Sequence, residues 1–128
     1  MKKLSEHDEQ CMVMDWWAKQ YPKHYGQLFS IPNGSVLAGN ATKRAIQMKK
    51  LKAEGLRAGA SDLFLAIPSG EYHGFFIEMK KSKSTPSSVN ANQHEFMNDM
   101  KEYGFKAEWY AGFEAAKEAI QEYMENGK

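Results

Sequence analysis

Apolar and polar positions alternate along this chain in two rhythms, one helical and one extended. From Ser5 to about Gln20, Met12, Val13, Trp16 and Trp17 form one helical face behind an N-cap serine, with Glu6, Asp8 and Glu9 at the positive end. Tyr21-Pro22 ends that helix, and Tyr25 to Ile31 is a short apolar-rich stretch stopped by the turn signal Pro32-Asn33-Gly34. Asn40 to Glu54 reads as a second helix with Ile46 and Leu51 inward, its lysines and arginine mostly outward, and Gly55 as its stop. Leu63 to Ile67 and Gly74 to Lys80 are runs of strand length, and their short connection makes them an antiparallel hairpin. A polar loop over 81–92 follows. A third helix from about Asn90 to Tyr103 has Phe96, Met97, Met100 and Tyr103 as its buried stripe. Phe105 to Ala111 reads as a third strand, and Phe113 to Met124 as a last amphipathic helix. The order implies an α/β domain, a small mixed sheet flanked by helices.

The length of 128 residues fits one domain over 1–128, and a balance of 42% hydrophobic to 26% charged residues is that of a globular chain. A single cysteine, Cys11, excludes an internal disulfide framework and agrees with a reducing compartment. No apolar run approaches the roughly 18 residues of a membrane span, and Ser5-Glu6-His7-Asp8-Glu9 stands where a signal peptide would be apolar, so a cytoplasmic protein without membrane contact is expected.

The net charge of +1 hides a polarised chain. Residues 40–84 carry nine bases against four acids, whereas residues 85–128 carry four against eight. Lys43, Arg44, Lys49, Lys50, Lys52 and Arg57 form a basic stretch suited to phosphates, although a solvated helix face has the same composition. Neither G-x-x-x-x-G-K-[ST] nor G-x-G-x-x-G occurs, so no nucleotide cofactor is expected. His7 and Cys11, four apart on a helix, have a zinc-compatible spacing but no companions in sequence.

The sharper signal is Glu78-Met79-Lys80. Residues two apart on a strand share a face, so Glu78 and Lys80 point one way and Met79 turns into the core. Counting back through the hairpin brings Asp62 opposite position 79 or 80, give or take one, at the same open end as Glu78. Two carboxylates that close repel unless a cation joins them, and hard oxygen ligands suit Mg²⁺ or Mn²⁺. A lysine beside such an ion can orient or deprotonate an attacking water, or neutralise developing phosphoryl charge.

Gly59-Ala60-Ser61-Asp62, a strand, and then Glu78-Met79-Lys80 resemble the PD-(D/E)xK core of restriction-endonuclease-like nucleases, and within them the VRR-NUC (virus-type replication-repair nuclease) domains of phages and bacteria. The acidic first helix with Gln10 and Trp16, the segment Ile31-Pro32-Asn33-Gly34, the lead Leu51-Lys52-Ala53-Glu54-Gly55, and Gln93 after the polar loop extend the resemblance over nearly the whole chain. Ser61 departs from it, standing where the motif has proline; no ligand is lost thereby.

The resemblance implies a restriction-endonuclease-like fold and a metal-dependent DNA endonuclease of replication, recombination or repair, acting in a bacterial or phage-infected cell. It implies Asp62, Glu78 and the Met79 carbonyl as ligands of Mg²⁺ or Mn²⁺, Lys80 as the activating lysine and Gln93 as its accessory. It also implies an acid from the first helix, Glu6 in preference to Glu9, completing the site. Asn33, Lys43, Arg44, Lys49, Arg57 and Lys81 are the candidate DNA contacts. Branched or four-way junctions are the implied substrates, with a homodimer, built on exposed Trp and Met of the terminal helices, to cut both strands. A weakly catalytic DNA-binding module of the same fold, and a protein-interaction subunit, are the competing classes.

Overall fold

A computed structural model describes residues 3–32 and 37–126. Helix α1 (Glu6–Gln20) leads through a 3-10 segment (Pro22–Gln27) into strand β1 (Leu28–Ser30), and helix α2 (Ala41–Ala53) follows. Strands β2 (Leu63–Leu65) and β3 (Phe75–Lys80), helix α3 (Ala91–Glu102), strand β4 (Lys106–Ala111) and helix α4 (Phe113–Asn126) complete the chain. The sheet order is β1-β2-β3-β4. Its first three strands are antiparallel neighbours, and β4 lies parallel to β3 because α3 carries the chain back across the sheet.

Local chemistry sets the helix ends. Ser5 and Asp8 exchange hydrogen bonds in a capping box at the start of α1, and Asn90 and Gln93 do the same for α3. Asn40 caps α2 through the Lys43 amide, and Gly55 stops it at φ +108°. The sheet separates two apolar layers. Val13 and Trp17 of α1 and Ala116, Ile120 and Tyr123 of α4 pack with Phe75, Ile77 and Met79 on one face. Phe96 and Met97 of α3 pack with Ala107, Phe76 and Trp109 on the other. The alternation along β3 thus sends odd positions to α1 and α4, and even positions to α3.

Several expectations need correction. β2 is shorter than the apolar run 63–67, and the stretch from Tyr25 begins as 3-10 through Gln27 before it becomes strand at Leu28. α2 has no buried residue: Ile46 is 64% exposed and Leu51 only half-buried, because the helix stands off the sheet. Tyr103 is not in the α3 stripe but at its C-cap, 73% exposed, where Gly104 turns the chain away. Met12 is exposed, so the inner face of α1 is Glu9, Val13 and Trp17. Trp17 is fully buried, its indole N–H donating to the His24 carbonyl at 3.0 Å, and Trp16 packs against Trp17 and Tyr21. Of the expected Trp and Met surface for a dimer, Trp17 is thus unavailable, Trp16 is half-buried and Met12 is exposed. Among the described residues, no helix is long and apolar enough to cross a membrane.

Candidate functional site

Strand β2 pairs with β3 only from Phe75 to Ile77, so Glu78, Met79 and Lys80 run on past their antiparallel neighbour. The Met79 amide, left without a β2 partner, donates to Asp62 Oδ2 at 2.7 Å. Asp62, one residue before the Leu63–Ile77 pair, therefore faces Glu78 across the strands. Its own carbonyl accepts from the Ile31 amide at 2.8 Å, which ties the motif to the end of β1.

Glu78 and Lys80 occupy even positions of β3, on the side of α3, and Gln93 in the first turn of α3 meets both. Lys80 Nζ donates to Gln93 Oε1 at 3.2 Å, and Gln93 Nε2 donates to Glu78 Oε2 at 3.3 Å. Lys80 Nζ lies 3.9 Å from Glu78 Oε2. The α3 N-terminus is set against the motif by Gly59. At φ +87° it lies so close to α3 that a Cβ there would come within 2.2 Å of the Asn92 carbonyl oxygen. Glycine at 59 is thus required by contact as well as by conformation.

Asp62, Glu78, Lys80 and Gln93 line one open cleft of about 790 Å³, together with Glu6 and Gln10 from the outer face of α1. Met79 itself is fully buried, its side chain in the core as the strand alternation requires. Glu9 is absent from the cleft wall: it is buried, with Oε1 accepting from the Phe113 amide and Oε2 from the Ser82 amide and hydroxyl. Burial raises the Glu9 pKa, but these three donors outweigh it and hold the carboxyl below its ordinary value.

Glu78 is shifted the other way, up to about 9. Burial is the largest cause; a hydrogen bond with Asp62 that only the protonated acid can make comes next, then repulsion from Asp62, partly offset by Lys80. Glu78 Oε1 is buried and has no hydrogen-bond partner among the described residues. Two carboxylates in contact, one with a bare buried oxygen, need a proton or a cation between them, so the donor set fits a hard divalent ion. Among the described residues no three His, Cys, Asp or Glu side chains are grouped so as to hold a metal ion between them. The ion would rest on Asp62 and Glu78, with Glu6 at the rim and other oxygens completing its shell.

The remaining candidates lie elsewhere. Lys43, Arg44 and Lys49 are exposed on α2, and Lys81 is exposed directly after the motif. Arg57 is engaged, paired with Asp99 and set over the Phe96 ring at 5.2 Å. That makes it a link between the α2–β2 connection and α3 rather than a free cation. Asn33 lies outside the described residues. Tyr25, Ser30 and Asp15 also line the cleft; nothing in their local sequence marks them, since they reach it only through the packing of α1 and β1. His7 and Cys11 share its wall, Nε2 and Sγ 3.5 Å apart.

A family model described as the VRR-NUC domain matches residues 2–114. A solved structure described as a VRR_NUC domain protein is 27% identical to this chain and superposes with a TM-score of 0.82, covering 100% of this chain and 94% of that one. No curated protein matches. The mixed sheet between α1/α4 and α3 is accordingly the restriction-endonuclease-like fold expected from the motif.

Proposed function

The chain belongs to the VRR-NUC domain family, which makes its chemistry that of a nuclease, and from that premise we propose that residues 1–128 form one Mg²⁺- or Mn²⁺-dependent deoxyribonuclease domain. It hydrolyses phosphodiester bonds and selects branched DNA, four-way junctions above all, leaving 5′-phosphate and 3′-hydroxyl ends. The observation that carries this reading is the contact of Asp62 with a buried Glu78 whose Oε1 is bare, beside a lysine held by Gln93 in the same cleft.

Asp62, Glu78 and the Met79 carbonyl would hold the ion, with Glu6 contributing from α1. When bound, the ion supplies Lewis-acid polarisation of the scissile phosphate. Lys80, buried to 8% exposure, presents its ammonium to the cleft, where it orients the attacking water and meets the charge that develops on the phosphoryl oxygens. Gln93 keeps that ammonium on the cleft side, accepting from it while donating to Glu78. The exposed bases of α2, a helix without an acid between Ala41 and Ala53, grip phosphates without reading sequence.

One site cuts one strand, so symmetric cutting of a junction calls for two copies about a two-fold axis, and we take the working form to be a homodimer in the cytoplasm of a bacterial or phage-infected cell. The test is cleavage of a labelled four-way junction beside a matched linear duplex, with Mg²⁺, Mn²⁺ or chelator, for the wild type and Asp62→Ala. Junction-selective, metal-dependent cutting abolished by Asp62→Ala is expected. Salt-dependent DNA binding by a folded protein that cuts neither substrate would move the chain to the DNA-binding class.

A further inference from the structure

Glu9 is a charged group that this reading leaves unused, and it is placed with more precision than the acids of the cleft. It is 3% exposed, and both its oxygens accept hydrogen bonds: Oε1 takes the Phe113 amide at 2.9 Å, and Oε2 takes the Ser82 amide at 2.8 Å and the Ser82 hydroxyl at 2.7 Å. The two segments it joins lie just beyond the C-terminal ends of β3 and β4. Lys80 and Ala111 are the last pair of the parallel ladder, and the Gly112 amide closes it on the Lys80 carbonyl at 2.8 Å. Past that point β3 enters the polar loop and β4 turns into α4, so the amides of Ser82 and Phe113 have no ladder to join. One carboxylate takes both.

A second observation marks the same point. Gly112 has φ +96°, and a Cβ there would lie 2.4 Å from Ser82 Oγ and 3.2 Å from Glu9 Oε1. The crossing of α1 over the two strand ends is thus built around a position without a side chain.

We propose that Glu9 is the positioning residue of the nuclease site. Its carboxylate staples the diverging ends of β3 and β4 together where Lys80 emerges, and it fixes the rotation of α1 that turns Glu6 and Gln10 toward the cleft. The inference rests on the nuclease reading for its catalytic consequence, though the staple itself does not. Val13 and Trp17 hold α1 to the sheet by apolar contact, which resists separation but tolerates sliding and rotation. Three charge-assisted hydrogen bonds are directional and shorter-ranged, so they set the register that apolar packing leaves loose. Glu9 reaches no substrate, being absent from the cleft wall, and acts through Lys80 and Glu6.

The test compares wild type, Glu9→Gln and Ser82→Ala by steady-state cleavage, thermal unfolding and amide hydrogen exchange. Glu9→Gln keeps the size but turns an N–H₂ toward a donor, and Ser82→Ala removes only the hydroxyl bond. Expected are a fall in kcat of about tenfold or more for Glu9→Gln and about threefold for Ser82→Ala, with KM for DNA nearly unchanged, measured well below either Tm. Exchange at the Ser82 and Phe113 amides should rise in Glu9→Gln while Leu63 to Leu65 stay protected. A purely structural role would lower Tm and leave kcat per folded molecule at the wild-type value; that result in Ser82→Ala, or in a folded Glu9→Gln, overturns the proposal. Should Glu9→Gln fail to fold, the Ser82→Ala kinetics decide. If wild type cuts no DNA, the nuclease reading fails separately, and unchanged exchange at Ser82 and Phe113 would remove the staple itself.

Discussion

Gln93 and Lys80 are joined at 3.2 Å, and the same Gln93 oxygen accepts from the Asn90 amide at 3.0 Å, so one side chain both caps α3 and holds the lysine of the E-x-K motif. Helix formation and the setting of Lys80 are thereby coupled. Gln93→Ala should lower junction cleavage by about ten- to a hundredfold, the usual cost of losing a group that orients an active-site residue. The loss of its half of the capping box should also cost about 1 kcal/mol of stability, read by denaturant unfolding. Gln93→Glu, which can still take the Asn90 amide but sets a carboxylate against Glu78, should regain stability and not activity.

Glu78, a metal ligand in the proposed function, is buried against the stability of the metal-free fold. With its pKa pushed up to about 9, the folded protein retains a proton that the unfolded chain gives up near 4.5, so metal-free stability falls as pH rises across that window. Glu78→Gln mimics the protonated acid. Its Tm in chelator at pH 8 should equal or exceed that of wild type, and the Tm increase on adding Mg²⁺ should disappear along with cleavage. A marked loss of metal-free stability in Glu78→Gln would contradict the account of two carboxylates in contact.

Glu9 predicts the opposite pH dependence. Its folded pKa lies below the ordinary 4.5, so its contribution is complete above that value and is lost as pH falls through the lowered pKa. Acid unfolding monitored by circular dichroism should depend more steeply on pH in wild type than in Glu9→Gln, which has no carboxylate at position 9 to protonate. Glu9→Gln should therefore be less stable at pH 7, and the gap between the two proteins should narrow toward pH 3.

Ser61 is fully buried, and its hydroxyl has no hydrogen-bond partner among the described residues. Where the motif has proline, the chain carries a polar atom that lost its water on folding. Removing it should help: Ser61→Ala is expected to gain about 1 kcal/mol in urea unfolding, with cleavage unchanged within about twofold. A loss of stability would mean that the hydroxyl is satisfied.

The bases of the central stretch should separate into two kinds. Lys49→Gln and Lys50→Gln, on the exposed side of a helix that buries nothing, should weaken DNA binding for all sequences and each lower the salt slope by about 1. Arg57→Gln breaks the Asp99 pair and the stack on Phe96, so it should lower the unfolding free energy modestly, by less than about 1 kcal/mol, with a smaller effect on the salt slope.

Elements whose determinants are local were legible in the chain. Ser5, Asn40 and Asn90 cap the helices expected of them, because a capping side chain needs only the amide three residues on. The hairpin between 63 and 80 followed from one short connection, and with it the meeting of Asp62 and Glu78. The faces of α2, the exposure of Tyr103 and the fate of the tryptophans were not legible. Helical periodicity shows that a face exists but not whether another element covers it, and among the described residues none is packed closely enough on α2 to bury a side chain of it. Between Glu6 and Glu9 the sequence offered only a preference for Glu6, since both are acids in a first helical turn. That Glu9 is buried away from the cleft follows from contacts across 73 and 104 residues of chain, from Glu9 to Ser82 and Phe113, which exist only once α1 has packed over the ends of β3 and β4. The sequence by itself determined the chemistry available, namely the carboxylates, the lysine and the strand that aligns them. Only the tertiary structure decided which of those groups face the cleft and which are buried beside it in hydrogen bonds to distant backbone.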